Sequence, residues 1–112
     1  MNFEMPERLT AVMFQRERLW VGVFLEHYLV AQAETNAELI AEMSRIVTAH
    51  LVISAENNEQ PFKMFPPAPQ HYHDLFDKDA RPDISIIYKP PKEVRAAVGE
   101  STLMLHEVRK SA

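Results

Sequence analysis

The first third of the chain consists of apolar runs separated by short polar interruptions. Residues 9–14 form an almost wholly apolar run, which predicts a strand that is half or fully buried. The polar residues 15–18 have the length of a hairpin loop, and a second apolar run follows at 19–25. Residues 28–32 are either a third strand or the continuation of the second strand beyond a bulge.

A long helix is predicted to begin after Thr35 and to end near Asn57. Thr35 and Glu38 occupy the two positions of a capping box, in which each side chain accepts a hydrogen bond from the other residue's backbone N–H. The following positions recur with the spacing of one helix face: Leu39, Ile40, Met43, Ile46, Val47, His50, Leu51 and Ser54. Such a one-sided helix needs an apolar surface to cover, and we expect residues 20–30 to provide it.

The prolines are concentrated in the second half of the chain. Six of the eight prolines lie between positions 61 and 90, and a seventh follows at position 91. The X-Pro steps of residues 61–69 predict a rigid, extended connector, with Phe62, Met64 and Phe65 packed on the domain. Beyond it the pattern predicts the following elements: a short helix at 70–77, a strand at 83–89, a helical turn at 93–98, and a strand or a helix at 101–109.

These elements together predict an α+β fold. Three short antiparallel segments with one long helix across one face make a small antiparallel sheet covered on that face. We expect residues 1–112 to form a single domain. Its core would be the strand–hairpin–helix unit of residues 9–57. Residues 61–112 would be a proline-rich extension with one or two further strands.

Composition narrows the classes of function. The chain has no cysteine, which removes disulfides, thiolate metal ligands and cysteine nucleophiles and agrees with a reducing cytoplasm. A net charge of −4 disfavours a general nucleic-acid binder and favours a basic protein partner. No apolar run is long enough to span a bilayer, and the N-terminus lacks the pattern of a secretory signal. We therefore expect a cytoplasmic protein without membrane association.

One cluster has the residue types of a metal site. His71 and His73 are two positions apart and Asp74 follows them, so these side chains offer two imidazoles and a carboxylate to zinc or nickel. Further ligands would have to come from distant histidines, and surface polar clusters of this kind are far more common than metal sites. The acidic residues lie mostly in turns and at the helix start, where capping explains them. We expect no catalytic residues, no metal and no cofactor.

The order of elements and several short motifs resemble the HicB-like superfamily, in particular small bacterial members of it. The resemblance covers roughly residues 9–77. It is carried by Trp20-Val21 at the start of the second strand, Ala31-Gln32-Ala33 before the helix, and Pro66-Pro67-Ala68-Pro69 followed by Tyr72 and Phe76. Ala33 stands where the family usually has glycine, which questions a left-handed backbone at that position.

The resemblance implies a partial RNase H-like layer and a role in binding protein. Well-known members are antitoxins that neutralise a small basic RNA-cleaving toxin, usually as dimers or higher oligomers. Such antitoxins commonly carry a separate DNA-binding segment, and residues 80–112 show none. Direct DNA binding is therefore not expected here. The resemblance supports a homo-oligomer, in particular a dimer, with a small basic protein as a further partner.

We therefore predict a non-enzymatic, protein-binding module of the antitoxin or regulatory type. A sheet with few strands has an exposed edge, and such an edge invites pairing with another chain. The predicted partner-binding residues are Trp20, Glu26, Tyr28, Tyr72 and Phe76. Two alternatives stay open: an orphan homo-oligomerising module, and a metal-dependent hydrolase or nuclease that uses His71, His73 and Asp74.

Overall fold

The computed structural model describes residues 8–76, 84–89 and 101–107. The elements of these residues are β1 (Arg8–Arg16), β2 (Leu19–Phe24), β3 (Val30–Ala33), α1 (Asn36–Glu56), α2 (Gln70–Asp74), β4 (Ile84–Tyr88) and β5 (Ser101–Glu107). The predicted α+β class is confirmed. The helical turn predicted at residues 93–98 lies outside the described part of the chain.

The described strands form one five-stranded sheet in the order β3-β2-β1-β5-β4. All neighbouring pairs are antiparallel except β1 and β5, which are parallel. The sheet is therefore mixed, and it is larger than the three antiparallel segments predicted from residues 9–32. The last segment, for which strand and helix were both open, is a strand next to the centre of the sheet.

β5 takes this position because it completes the buried surface around β1. Leu103 lies opposite Leu9 and Leu105 opposite Ala11 in the parallel register, and all four residues are buried. A parallel neighbour requires a long crossover connection, which the chain between β1 and β5 provides. β4 and β5, from the second half of the chain, are thus integral strands of the described sheet.

Helix α1 covers one face of the sheet and lies against β2 and β3, as predicted. Its fully buried residues are Leu39, Met43, Val47 and Leu51. Thr35 caps the first turn, since its hydroxyl accepts a hydrogen bond from the Glu38 N–H at 3.1 Å. The last turn closes with a left-handed Asn58 and a hydrogen bond from the Glu59 N–H to the Ser54 carbonyl at 2.8 Å, a Schellman motif.

Gly22 sets how closely α1 approaches the sheet. A Cβ atom at Gly22 would lie 2.6 Å from Met43 Sδ and 3.4 Å from Leu39 Cδ1. The neighbour that this glycine admits is the side chain of Met43. The absent Cβ therefore lets a fully buried methionine lie directly on the strand.

The opposite face of the sheet is covered by residues 66–76, which we call the strap. The strap covers a second apolar cluster, formed by Val12, Phe14, Val23, Leu25 and Ala68. Two backbone hydrogen bonds attach it to the turn between β2 and β3: Tyr28 N–H to the Pro66 carbonyl at 2.7 Å, and Ala68 N–H to the Leu25 carbonyl at 3.0 Å. The end of the predicted connector and the short helix after it therefore form the second covering layer of the sheet.

We predict that Gly22→Ala destabilises the protein by about 1–3 kcal/mol, because its methyl group overpacks the contact with Met43. Met43→Ala alone should cost about 2–5 kcal/mol through the cavity it leaves. In the double variant the new methyl group occupies part of that cavity, so the two losses should be less than additive. Urea unfolding of the four proteins measures this coupling, and strictly additive losses would contradict the contact.

Candidate functional site

The strand β3 forms one edge of the described sheet, and half of its backbone points outward. The Phe24 N–H donates to the Leu29 carbonyl at 3.0 Å, and β2 continues opposite β3 with Gly22 facing Ala31 and Trp20 facing Ala33. Hydrogen-bonded pairs alternate along an antiparallel ladder, so Ala31 and Ala33 bond to β2. The N–H and C=O groups of the two intervening residues, Val30 and Gln32, therefore face away from the sheet.

None of the backbone hydrogen bonds that join described residues outside the helices and strands involves Val30 or Gln32. The Val30 side chain is 49% exposed, although it stands opposite the fully buried Val23. An edge whose outward backbone groups have no such partner among the described residues, next to an exposed β-branched residue, is able to accept another strand.

An acidic groove runs beside this edge, between the end of β3 and the first turns of α1. Its volume is about 500 Å³. Its walls are formed by Gln32, Ala33, Glu34, Glu38, Ala41, Glu42 and Arg45. Arg45 forms an ion pair with Glu42, which leaves the carboxylates of the exposed Glu34 and Glu38 as the excess charge. The positive end of the helix dipole favours carboxylates at this place.

Two of the predicted partner-binding residues, Trp20 and Glu26, contact the sheet itself. Trp20 is half-buried on the helix-covered face, where it packs against the buried apolar residues between α1 and the sheet and stands opposite Ala33 of the edge strand. Glu26 has a structural role, since its Oε1 atom accepts a hydrogen bond from the Thr10 N–H at 2.7 Å. That bond satisfies a donor at the start of the central strand, and the carboxylate is held there.

The other three predicted residues, Tyr28, Tyr72 and Phe76, lie on the strap-covered face. The rings of Tyr28 and Tyr72 are 5.9 Å apart, and Tyr72 also stacks on Phe14 at 6.2 Å. A hydrogen bond to the Tyr72 hydroxyl raises the pKa of Tyr28 above its ordinary value. The fold thus brings Tyr28 and Tyr72 together, while Trp20 lies across the sheet from them. The five predicted residues do not form one continuous surface.

The polar cluster of the strap is held by local hydrogen bonds. His73 Nε2 lies 3.0 Å from the Ala68 carbonyl, and Gln70 Nε2 donates to Asp74 Oδ1 at 3.0 Å. The His71 ring lies against Tyr72, with 3.9 Å between ring centroids. Among residues 8–76, 84–89 and 101–107, there is no group of three or more His, Asp or Glu side chains that could hold a metal ion. The described neighbours of this cluster therefore offer no further ligands.

Sequence reasoning missed a cluster of two histidines and two phenylalanines. It brings together α1, the turn between β2 and β3, and the residues just before the strap. The Phe62 ring lies 5.5 Å from His27 and 6.3 Å from His50, and His50 meets Phe65 edge-on at 4.8 Å. Phe62 is 2% exposed and has a φ angle of 64°, a conformation that a bulky side chain rarely adopts. Burial of the ring holds this strained backbone in place.

Met64 lies beside this cluster and departs from the prediction for the connector. Phe62 and Phe65 pack on the domain as predicted, but Met64 is 82% exposed. It borders a groove of about 390 Å³ at the C-terminal end of α1, which we call the Met64 groove. Ile53, 51% exposed, stands on the same surface. The only sequence signal for this surface was the run of apolar residues between Pro61 and Pro66, which does not reveal which of them faces outward.

Comparison of the chain with protein-family models, with curated proteins and with solved structures finds no match. The resemblance to the HicB-like superfamily accordingly stays a prediction. In the described part of the chain, neither α1 nor α2 combines the length and the apolar character that a membrane-crossing helix needs. The surfaces described above are therefore the basis for assigning a function.

We predict that Phe62→Gly is more stable than Phe62→Ala, by up to about 1 kcal/mol. Both variants lose the buried ring, which should cost about 3–5 kcal/mol. Glycine adopts a positive φ freely, whereas alanine keeps the strain. Chemical denaturation of the two variants measures the difference. A clear advantage of alanine, the usual order at ordinary positions, would show that this backbone is not left-handed.

We predict that Tyr72→Phe lowers the pKa of Tyr28 towards 10, because the variant removes the hydrogen bond that favours the neutral phenol. In the wild type, stabilisation from this bond should be complete below pH 10 and should be lost as the pH rises through the higher pKa of the folded state. NMR of isotope-labelled tyrosine rings follows each ionisation. Tyr88, whose pKa is raised by burial, is the internal reference and should not move. An unchanged Tyr28 titration would contradict the hydrogen bond.

Proposed function

We propose that this protein is a non-enzymatic binding module that takes up a strand of a small basic protein at the β3 edge. The observation that carries the proposal is the outward-facing backbone of Val30 and Gln32 next to the acidic groove. Main-chain hydrogen bonds from an added strand supply affinity in this mode of recognition, and side chains on alternate positions supply specificity.

The acidic groove selects the charge of the partner. A strand added beside β3 runs along the first turns of α1, so every second side chain of it faces Glu34 and Glu38. Each exposed ion pair contributes less than about 1 kcal/mol, and less at high salt. The carboxylates therefore act mainly on partner choice and association rate, while the backbone bonds hold the complex.

The same charges disfavour a second copy of the chain at this edge. Two β3 strands paired edge to edge would place one acidic groove next to the other, with Glu34 and Glu38 of both copies on the shared surface. Like charges at an interface oppose association, whereas lysine or arginine on a partner strand is attracted. The edge is thus suited to a heterologous, basic partner.

The resemblance to HicB-like proteins supports a small basic protein as the partner in this proposal. Antitoxins of that group bind small basic RNA-cleaving toxins, and an acidic groove beside a free edge fits such a partner. We therefore assign the protein an antitoxin-like or regulatory role in the cytoplasm. In this role the partner is inhibited because its own surface is occupied, and the present chain needs no catalytic group.

The edge is tested by Gln32→Pro, which should abolish partner binding. Proline removes the outward N–H of residue 32 without breaking a bond to β2, and the preceding Ala31 already has the extended backbone that proline requires. Gln32→Thr keeps the N–H and is the matched control. Tagged wild type and both variants are expressed in the source cells, and the co-purified proteins are quantified by mass spectrometry.

A small basic protein should be recovered with the wild type and Gln32→Thr and lost with Gln32→Pro. Glu34→Lys should weaken its binding about tenfold at low salt, equivalent to about 1.4 kcal/mol, while Glu56→Lys at the far end of α1 should not. If no protein distinguishes the wild type from Gln32→Pro, or if the protein that does so is acidic, the proposed function is wrong.

A further inference from the structure

We propose that the Met64 groove is a self-association surface, on which a second copy of this chain docks to form a two-fold symmetric dimer. The surface lies at the C-terminal end of α1, whereas the acidic groove lies at its N-terminal end. A helix of 21 residues is about 30 Å long, so the two surfaces are well separated. The dimer therefore leaves the β3 edge open for a different partner.

The first argument is the shape of the surface. A two-fold interface uses the same patch on both copies, so a patch that offers both a protrusion and a hollow is able to pair with itself. Met64 is the protrusion, since 82% of its surface is exposed. The adjoining hollow of about 390 Å³ is lined by the exposed Ile53 and the partly buried Phe65, next to the buried ring of Phe62. Methionine is flexible and polarisable, which suits it to filling a hollow lined by aromatic rings.

The second argument is the charge of the rim. Glu59 and Lys63 both line the Met64 groove, and their charges are opposite. Neither side chain forms an ion pair with another described residue. When two copies meet face to face, Lys63 of each is able to approach Glu59 of the other. The patch is therefore neutral overall and complementary to itself, unlike the acidic groove, and a second copy fits it better than a strongly charged partner does.

The third argument concerns the exposed apolar surface. Ile53 lies on the outer side of the last turns of α1, and 51% of its surface is exposed next to Met64. Isolated exposed apolar residues are normal on a protein, but two of them beside an apolar hollow form a patch that gains from being covered. The patch is small, so the dimer is weak and depends on concentration.

Sedimentation equilibrium measures this dimer over concentrations from about 10 µM to 1 mM, the range expected for a small interface. The wild type should shift from monomer to dimer as concentration rises. Met64→Asp should weaken association at least tenfold, and circular dichroism should show an unchanged fold because the side chain is exposed. Val30→Asp, which alters an exposed apolar residue at the β3 edge, is the matched control and should dimerise as the wild type does.

A charge exchange tests the orientation of the two copies. Lys63→Glu and Glu59→Lys should each weaken the dimer, because each places like charges opposite one another. The double variant restores opposite charges and should restore association.

A wild type that stays monomeric up to 1 mM overturns the proposal, as does a dimer that Met64→Asp leaves intact. If Val30→Asp disrupts the dimer instead, the copies meet at the β3 edge, and the heterologous use of that edge is then in doubt as well. If Met64→Asp abolishes the dimer and the variant still binds a basic protein at the β3 edge, the two surfaces act independently and both proposals are supported.

Discussion

The central constraint on this fold is that β1 carries apolar side chains on both of its faces, and both faces must be buried. Leu9, Ala11 and Met13 are buried on one side of the strand, and Val12 and Phe14 are buried on the other. A strand with apolar side chains on both faces requires a layer on each side and a neighbour at each edge. Helix α1 and the strap provide the two layers, and β2 and β5 are the two neighbours. The remaining elements are positioned by these four contacts.

Covering β1 in this way uses many of the polar and aromatic groups that otherwise look functional. Glu26 satisfies the Thr10 N–H, His73 bonds to the Ala68 carbonyl, and Tyr72 stacks on Phe14. Buried backbone donors and acceptors need partners, and the Glu26 and His73 side chains supply two of them. Among the described residues, exposed side chains that line grooves remain at the two ends of α1, in the acidic groove beside β3 and in the Met64 groove.

Much of the framework was predictable because its signals are local. Residues close together in sequence predict four features: the Thr35 cap, the Leu39–Leu51 stripe, the β1–β2 hairpin and the short helix of the strap. The candidate surfaces were not predictable in the same way. Tyr28 and Tyr72 were both expected to bind a partner, yet they contact each other. No local rule anticipates the exposure of Met64 or the left-handed backbone of Phe62.

The sequence by itself determined the α+β class, the start and end of α1, and the acidic character of its first turns, since capping, periodicity and charge are properties of neighbouring residues. Tertiary structure decided that β5 lies beside β1, that the strap covers the second face, and that β3 is an edge strand of the described sheet. Those outcomes depend on which distant apolar surfaces fit together, and pairing between segments some ninety residues apart leaves no periodic mark in the chain.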